Sequence, residues 1–421
     1  MTSLSLLLWI VLGIVLQLVI FLGISFWHHW LGYQALNSSV LGLRQDDLRE
    51  AEETATGPRP DFRPFRVENK VVEDAARSIC SFYLVPEDGE PLPAFLPGQF
   101  LTFRLDVPMA TGGNEQVIRC YSLSDAPRPN HYRVSIKRVP PPMGSDVPPG
   151  RSSNYFHDQV APGSLLQVRA PSGHFHIDRS DAPVVLIAGG IGITPMLSML
   201  NWSLSEQSGR EIWLFYGVRN SRELVMKSQL EALAAEHPNF HLQLCLSNPL
   251  PEEVEGRDYQ HRGRVDVDLL RTQLPLKPYH FYICGPTPMM ESLVQALEDW
   301  GVPDSHIHFE AFGPASIKRK LASTATDVQA QSEGMDAGII VTFAQSGKQL
   351  PWLATAGNLL EFAEANGVAV NSGCRAGSCG SCQTTILNGE VAYRQPPDYD
   401  PEPGTCLLCV CEPKTSVTLE V

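Results

Sequence analysis

At 421 residues the chain exceeds what one hydrophobic core usually organises, so about two to four domains are expected. A hydrophobic content of 43% suits folded domains, and 34 prolines with 33 glycines indicate many turns rather than disorder. The formal net charge of -14, with no basic stripe to neutralise phosphates, excludes a nucleic-acid-binding protein.

The amino-terminal run from Leu4 to Trp27, LSLLLWIVLGIVLQLVIFLGISFW, carries no charge, and the first charged side chain is Arg44. As a helix it would reach roughly 35 Å, enough for a hydrocarbon core of about 30 Å. A single-pass transmembrane anchor over 1–43, with membrane lipid as its partner, is therefore expected. A cleaved signal peptide is the rival, disfavoured by the length of the run and the lack of Lys or Arg before it. His28 and His29 beside Trp27, Trp30 and Tyr33 read as interfacial residues.

Residues 44–63 mix charge with Gly57, Pro58 and Pro60 and read as a linker. From 64 to 178, short runs rich in Val, Ile, Phe and Tyr alternate with turn signals such as Pro97-Gly98 and Pro162-Gly163, the pattern of an antiparallel β-barrel. From 182 to 314, apolar strands alternate with helical segments, which predicts an α/β doubly wound parallel sheet. A second linker covers 315–336. Residues 338–421 read as a small α+β domain.

Four motifs carry chemistry. Arg119-Cys120-Tyr121-Ser122 offers a cation for a diphosphate, an aromatic face for a ring system and a small hydrogen-bonding group, as a flavin needs. Gly150, Ser152, Ser153 and Asn154 precede a helix expected to begin near Tyr155, a placement that presents backbone N–H groups to phosphate; simple N-capping is the plainer alternative. The strand from Val184 to Ile187 runs into Gly189, Gly190, Gly192, Thr194 and Pro195, a glycine turn that admits a diphosphate to a helix N-terminus. Cys284, Gly285 and Pro286, followed by Met289, end a second strand in an equivalent place, so two turns share one crevice.

The fourth motif is the most specific. Six of the ten cysteines fall in the last 48 residues, and Cys374-x4-Cys379-x2-Cys382 has the spacing of a plant-type 2Fe-2S loop. A zinc site is the alternative, although zinc favours two short Cys-x2-Cys pairs. The fourth ligand must be distant, and Cys406, Cys409 and Cys411 are available. Cys80, Cys120, Cys245 and Cys406 read more simply as small buried residues.

The order and wording of these motifs resemble the ferredoxin-NADP reductase superfamily over residues 64–314. RCYSLSDAP, SNYFHDQV, GGIGITPM, YICGP and FEAFGP are similar to the reductase half of flavohaemoglobins. The resemblance implies FAD contacts at Arg119, Tyr121, Ser122, Lys137, Ser153 and Asn154. It implies nicotinamide-nucleotide contacts at Gly190, Thr194, Pro195, Cys284, Gly285 and Met289, with Phe312 packing beside the flavin. Ser122 and Cys284 are the catalytic candidates, one near the flavin and the other near the nicotinamide.

Residues 338–421 resemble a plant-type (β-grasp) ferredoxin domain. In that family the fourth ligand stands four residues before a proline; Cys409 has this relation to Pro413, with 26 residues separating it from Cys382, and Cys411 stays open. The whole order resembles oxygenase reductases of the phthalate and vanillate type. It implies hydride transfer from NADH, or NADPH, to FAD, then single electrons through the cluster to a terminal oxygenase, desaturase, hydroxylase or hybrid-cluster protein. The nicotinamide and the cluster ligands suit a cytoplasmic placement of the catalytic domains. Arg219, Ser221 and Arg222 keep NADPH open, whereas YGVRN resembles NADH users. A non-catalytic redox sensor and an oxidase reducing oxygen directly are the rival functions.

Overall fold

The computed structural model describes residues 62–312 and 339–421, apart from 110–111, 142–147, 208, 353–355, 371, 374, 376, 378–379, 394–396 and 398–400. The expected anchor and most of the first linker lie outside these residues, as do Cys374 and Cys379. Among the described residues no helix is long and apolar enough to cross a membrane. Everything described belongs to one compact unit, residues 59–421.

Six strands form the first layer: β1 (Arg63–Val72), β2 (Ile79–Pro86), β3 (Phe100–Pro108), β4 (Asn114–Ser122), β5 (Tyr132–Lys137) and β6 (Leu165–Ser172). Their order is β4-β3-β6-β1-β2-β5, antiparallel throughout, and a bridge between Leu123 and Val134 joins the two ends into a barrel. Period-two patterning places Phe82, Leu84, Leu101, Phe103, Val134 and Val168 inside it.

Helix α1 (Arg151–Asp158) closes one end of the barrel. It begins before Tyr155, because Gly150 is extended and the Ser153 hydroxyl and Asn154 amide donate to its carbonyl at 3.1 and 2.7 Å. The serines expected in a preceding loop are thus in the first helical turn. At the other end of α1, Lys70 Nζ donates to the carbonyls of Phe156, His157 and Val160 at 3.2, 2.7 and 2.8 Å, satisfying acceptors a helix terminus otherwise leaves open.

The second layer is a parallel sheet of β7 (Val184–Gly189), β8 (Ile212–Val218), β9 (Phe240–Leu246), β10 (His261–Arg262), β11 (His280–Gly285) and β12 (Ile307–Ala311). The order β10-β9-β8-β7-β11-β12 makes β7 central, and the chain changes direction across the sheet beside it. All six residues of β7 are buried, as a strand covered on both faces requires. Helices α2 (Ile193–Glu206) and α3 (Lys227–Glu236) pack with one core, while α4 (Val267–Gln273) and α5 (Thr287–Asp299) pack with the other.

Barrel and sheet are joined by polar contacts. Ser198 Oγ and Asn201 Nδ2 of α2 donate to Asp125 at 2.7 Å each. Arg210, 2% exposed, donates to the carbonyls of Ala182 and Asp178 at 2.8 Å and to the Asp178 carboxylate at 3.1 Å. A buried guanidinium with every direction answered is a rigid tie between the two domains.

The carboxyl-terminal domain contains β13 (Ile340–Phe343), β14 (Lys348–Pro351), α6 (Leu359–Ala365), β15 (Gln383–Asn388), β16 (Val391–Tyr393), β17 (Thr405–Leu407), β18 (Cys411–Pro413) and β19 (Val417–Leu419). One sheet runs β14-β13-β19-β15-β17, with β13 and β19 parallel, and β16 pairs with β18. Leu359, Phe362 and Ala363 of α6 pack onto the same core as Val341, Phe343 and Leu419, the single-helix arrangement expected of a grasp fold.

Candidate functional site

A cavity of about 580 Å³ lies where the three domains meet. The barrel contributes Arg119 to Ser122 from β4, Lys137 from β5, and Ser152 and Ser153 from α1. The parallel sheet contributes Ile191, Thr194, Glu310 and Phe312, and the cysteine loop contributes Ser372, Gly373 and Arg375. Seven predicted contacts, Arg119, Tyr121, Ser122, Lys137, Ser153, Thr194 and Phe312, therefore converge on one space.

Burial pushes the Tyr121 phenol above its usual range. Its ring is held edge-on by Phe156 at 5.2 Å and Phe103 at 5.8 Å. Phe312, 41% exposed, stands at the mouth. Ser152 Oγ is buried beside the Tyr121 hydroxyl at the N-terminus of α1, and Arg119, Lys137 and Arg151 line the same space. A helix N-terminus and three cations beside an aromatic ring fit a flavin carrying a diphosphate.

One expected contact, Asn154, and one residue expected in the core, Cys120, are placed differently. Asn154 donates to the Val139 carbonyl at 2.9 Å and accepts from Arg138 at 3.0 Å, so its amide fixes the loop and does not line the cavity. Cys120, expected to be buried, is half-buried and lines the cavity, with its thiol 3.3 Å from Thr102 Oγ1. Cysteine's preference for interiors gave no hint of this, because β4 forms a wall of the cavity.

Gly190, Pro195, Cys284, Gly285 and Met289 build the adjoining crevice and do not line the cavity itself. Gly190 has φ +54° and opens onto empty space. A Cβ at Gly192 would stand 2.1 Å from the Cys284 carbonyl oxygen, so only glycine lets the first turn touch the second. Pro195 is buried in the first turn of α2, and Met289 Sδ lies against Gly189 and Gly285. Two touching glycine turns at the carboxyl ends of neighbouring parallel strands leave bare backbone where a dinucleotide diphosphate can approach.

Cys284 is 0% exposed, and burial pushes its thiol far up. Its side chain belongs to the core beneath α2. On the neighbouring strand Glu310 pairs in register with Cys284, and Ser122 Oγ donates to Glu310 Oε2 at 3.5 Å. Sequence reasoning missed Glu310. FEAFGP was visible, but only the pairing of β11 with β12 shows that this carboxylate faces Ser122.

In the cysteine loop, Cys382 and Cys409 are buried with their sulfurs 3.1 Å apart, and the Gly377 N–H donates to Cys409 Sγ at 3.3 Å. Cys411 is also buried, but its thiol is hydrogen-bonded to Cys406. Two converging sulfurs with a backbone donor on one of them fit an iron-sulfur cluster. Among the described residues no three His, Cys, Asp or Glu side chains converge, Cys374 and Cys379 lying outside them. Arg375 donates to Glu364 at 2.8 Å and through a second, shorter bond, which anchors the loop to α6 while Arg375 also lines the cavity.

The family model "Oxidoreductase FAD-binding domain" matches residues 69–177 and "Oxidoreductase NAD-binding domain" matches 186–295. The model "2Fe-2S iron-sulfur cluster binding domain" matches 345–414. A flavohemoprotein of Bacillus thuringiensis subsp. konkukian is 39% identical over 285 residues, covering 68% of this chain and 69% of the relative. The flavohem-like FAD/NAD-binding domain of a nitric oxide dioxygenase from Vibrio cholerae is 32% identical with a TM-score of 0.52, covering 61% of this chain and 100% of that one. Phthalate dioxygenase reductase, described as a modular structure for electron transfer from pyridine nucleotides to 2Fe-2S, is 27% identical with a TM-score of 0.50, covering 86% and 98%. FAD, NAD(H) and a 2Fe-2S cluster are accordingly the cofactors, and the chain is an oxidoreductase. It belongs to the flavohaemoprotein-like family of FAD- and NAD-binding oxidoreductases, with a 2Fe-2S domain on its carboxyl side.

Proposed function

We propose that the chain is an NADH-dependent reductase delivering single electrons through its 2Fe-2S domain to a separate redox protein, such as a terminal oxygenase. The observation that carries this reading is the shared cavity: barrel, nucleotide sheet and cysteine loop all contribute walls to it. A bound flavin accepts two electrons as hydride and releases them one at a time. The protein's part is positioning. Arg119, Lys137, Ser152 and Ser153 hold the diphosphate side, Tyr121 and Phe312 flank the ring, and Ser122 with Glu310 offers a hydrogen-bonding pair beside it. Asn154 acts by fixing the phosphate loop. Gly190, Thr194, Pro195, Gly285 and Met289 seat the nucleotide, and Cys284 supports that seat from below. Cys374, Cys379, Cys382 and Cys409 hold the cluster.

The preference for NADH rests on Glu223. Its carboxylate pairs closely with Arg219, one of the cations that could meet a 2'-phosphate, and lies 3.7 Å from Lys137 Nζ. A phosphate beside Arg219 would meet a neutralised guanidinium and a carboxylate. The uncharged Leu4–Trp27 run supports anchoring at a membrane, and the nicotinamide and cluster chemistry supports a cytoplasmic placement of the catalytic domains.

Purified protein loaded with FAD and iron should reduce cytochrome c steadily with NADH, more efficiently than with NADPH. A fully loaded protein inert to ferricyanide and cytochrome c would point to a sensor. Stoichiometric hydrogen peroxide without a partner would point to an oxidase.

A further inference from the structure

Beside the flavin cavity, three serine hydroxyls and a buried arginine form a network that no motif announces. Val134 and Ile136 of β5 point into the barrel, so Ser135 between them faces outward, toward the nucleotide sheet. Ser81 stands opposite it on β2, and Ser124 follows the end of β4. Ile79, on the same face of β2 as Ser81, packs into the core beneath α2, which covers this side of the barrel. Ser81 and Ser124 are fully buried, and Ser135, equally shielded from solvent, lines the cavity.

Hydrogen accounting gives the network a direction. Arg133, 6% exposed, donates from Nε to Ser124 Oγ at 3.2 Å and from Nη2 to the Ser124 carbonyl. The Asp125 carboxylate is 3.9 Å from Arg133 and is shared with Asn201, so the cation leans on Ser124. Ser124 Oγ passes its own hydrogen to Ser135 Oγ at 2.8 Å, because the Arg133 carbonyl at 3.2 Å lies beyond the about 2.5–3.0 Å of an O–H···O bond. Among the described residues Ser81 Oγ has one partner, Ser135 Oγ at 2.6 Å, and donates to it. Both lone pairs of Ser135 are then filled, and its own O–H is left for an acceptor in the cavity. We propose that Ser135 is a hydrogen-bond donor to the flavin ring, polarised by Arg133 through Ser124.

The inference rests on FAD occupying this cavity. Hydride transfer adds one unit of negative charge to the ring while the nicotinamide departs as its oxidised cation, so a donor at the ring binds the reduced form more tightly than the oxidised one. Burial keeps water from competing, and a cation at the far end of the chain strengthens each bond along it. Ser135 touches the cofactor, whereas Ser124 and Arg133 are positioning residues that act through it. Ser81 fills a lone pair of Ser135 and does not line the cavity, which makes it the internal control.

The test is an equilibrium redox titration of the full-length protein loaded with FAD and cluster, followed by flavin absorbance against a reference dye. Ser135→Ala should weaken binding of reduced relative to oxidised FAD about tenfold, which lowers the two-electron midpoint potential by about 30 mV. Ser81→Ala should leave the potential at the wild-type value. An unchanged potential in FAD-loaded Ser135→Ala, or an equal fall in Ser81→Ala, would overturn the proposal. Should Ser135→Ala fail to retain FAD, Ser124→Ala decides, because it cuts Ser135 off from Arg133: reduced FAD should be weakened about threefold relative to oxidised, and no weakening would overturn the proposal. Wild-type protein that binds no FAD would instead refute the cofactor assignment on which the proposal rests.

Discussion

Gly192→Ala tests how the two glycine turns create the nucleotide seat. The added Cβ would stand 2.1 Å from the Cys284 carbonyl oxygen, 2.4 Å from its carbon and 2.8 Å from the Gly285 nitrogen. Non-bonded heavy atoms settle at about 3.5 Å, so the turns must separate by about 1 Å. Both neighbours are backbone, and no side chain can rotate to relieve the contact. Such overpacking costs about 1–3 kcal/mol of stability, and a displacement of about 1 Å at reacting groups costs about 100-fold in rate. The barrel keeps its own core and its own cavity wall, so FAD content should be unchanged. Anaerobic stopped-flow mixing with NADH should show flavin bleaching slowed by one to two orders of magnitude, while dithionite reduces the same flavin normally. Bleaching by NADH at the wild-type rate would refute the idea that close contact of these turns builds the seat.

Other outcomes follow from the same geometry. Cys382→Ser and Cys409→Ser should each abolish the 2Fe-2S electron paramagnetic resonance signal and cytochrome c reduction while sparing ferricyanide reduction; Cys411→Ser should retain the signal, and the reverse pattern would reassign the fourth ligand. Glu223→Gln removes the carboxylate paired with Arg219, so the kcat/KM ratio of NADPH to NADH should rise about tenfold, a change of about 1.4 kcal/mol, in steady-state assays. Arg210→Leu strands the Asp178 carboxylate and the Ala182 carbonyl, and should cost about 3 kcal/mol by urea denaturation. Burial and neighbouring imidazoles hold His308 at about 4, below its ordinary 6.5. Because the unfolded chain takes up that proton first, its contribution to stability is present above pH 6.5 and is lost progressively as the pH falls toward 4. Denaturation at pH 7 and pH 5 should show this loss, reduced in His308→Gln.

Much of the architecture was legible because it is written in local patterns. The apolar run of β7, the glycine turn after it and the helix from Ile193 need no tertiary information. The alternating strands of the barrel are equally local. What escaped notice depends on pairing between distant segments. Glu310 acquires meaning only beside Ser122, and Arg375 only when the cysteine loop reaches the cavity. Asn154 and Cys120 exchanged expected places for a related reason: motif membership says which strand or helix carries a residue, and side-chain direction decides what it touches. The start of α1 shifted because Gly150, and not a serine, is its cap. His28 and His29, like the apolar run before them, lie outside the described residues.

The central claim is the order of electron movement, from nicotinamide to flavin to cluster to an external protein. Rapid freeze-quench spectroscopy of the full-length protein, mixed anaerobically with one equivalent of NADH, follows both centres in one experiment. Flavin bleaching should come first, and the reduced-cluster signal should rise afterwards and decay when cytochrome c is added. A cluster that stays oxidised while the flavin is fully reduced, or one that is reduced at the same rate in protein stripped of FAD, would contradict the account.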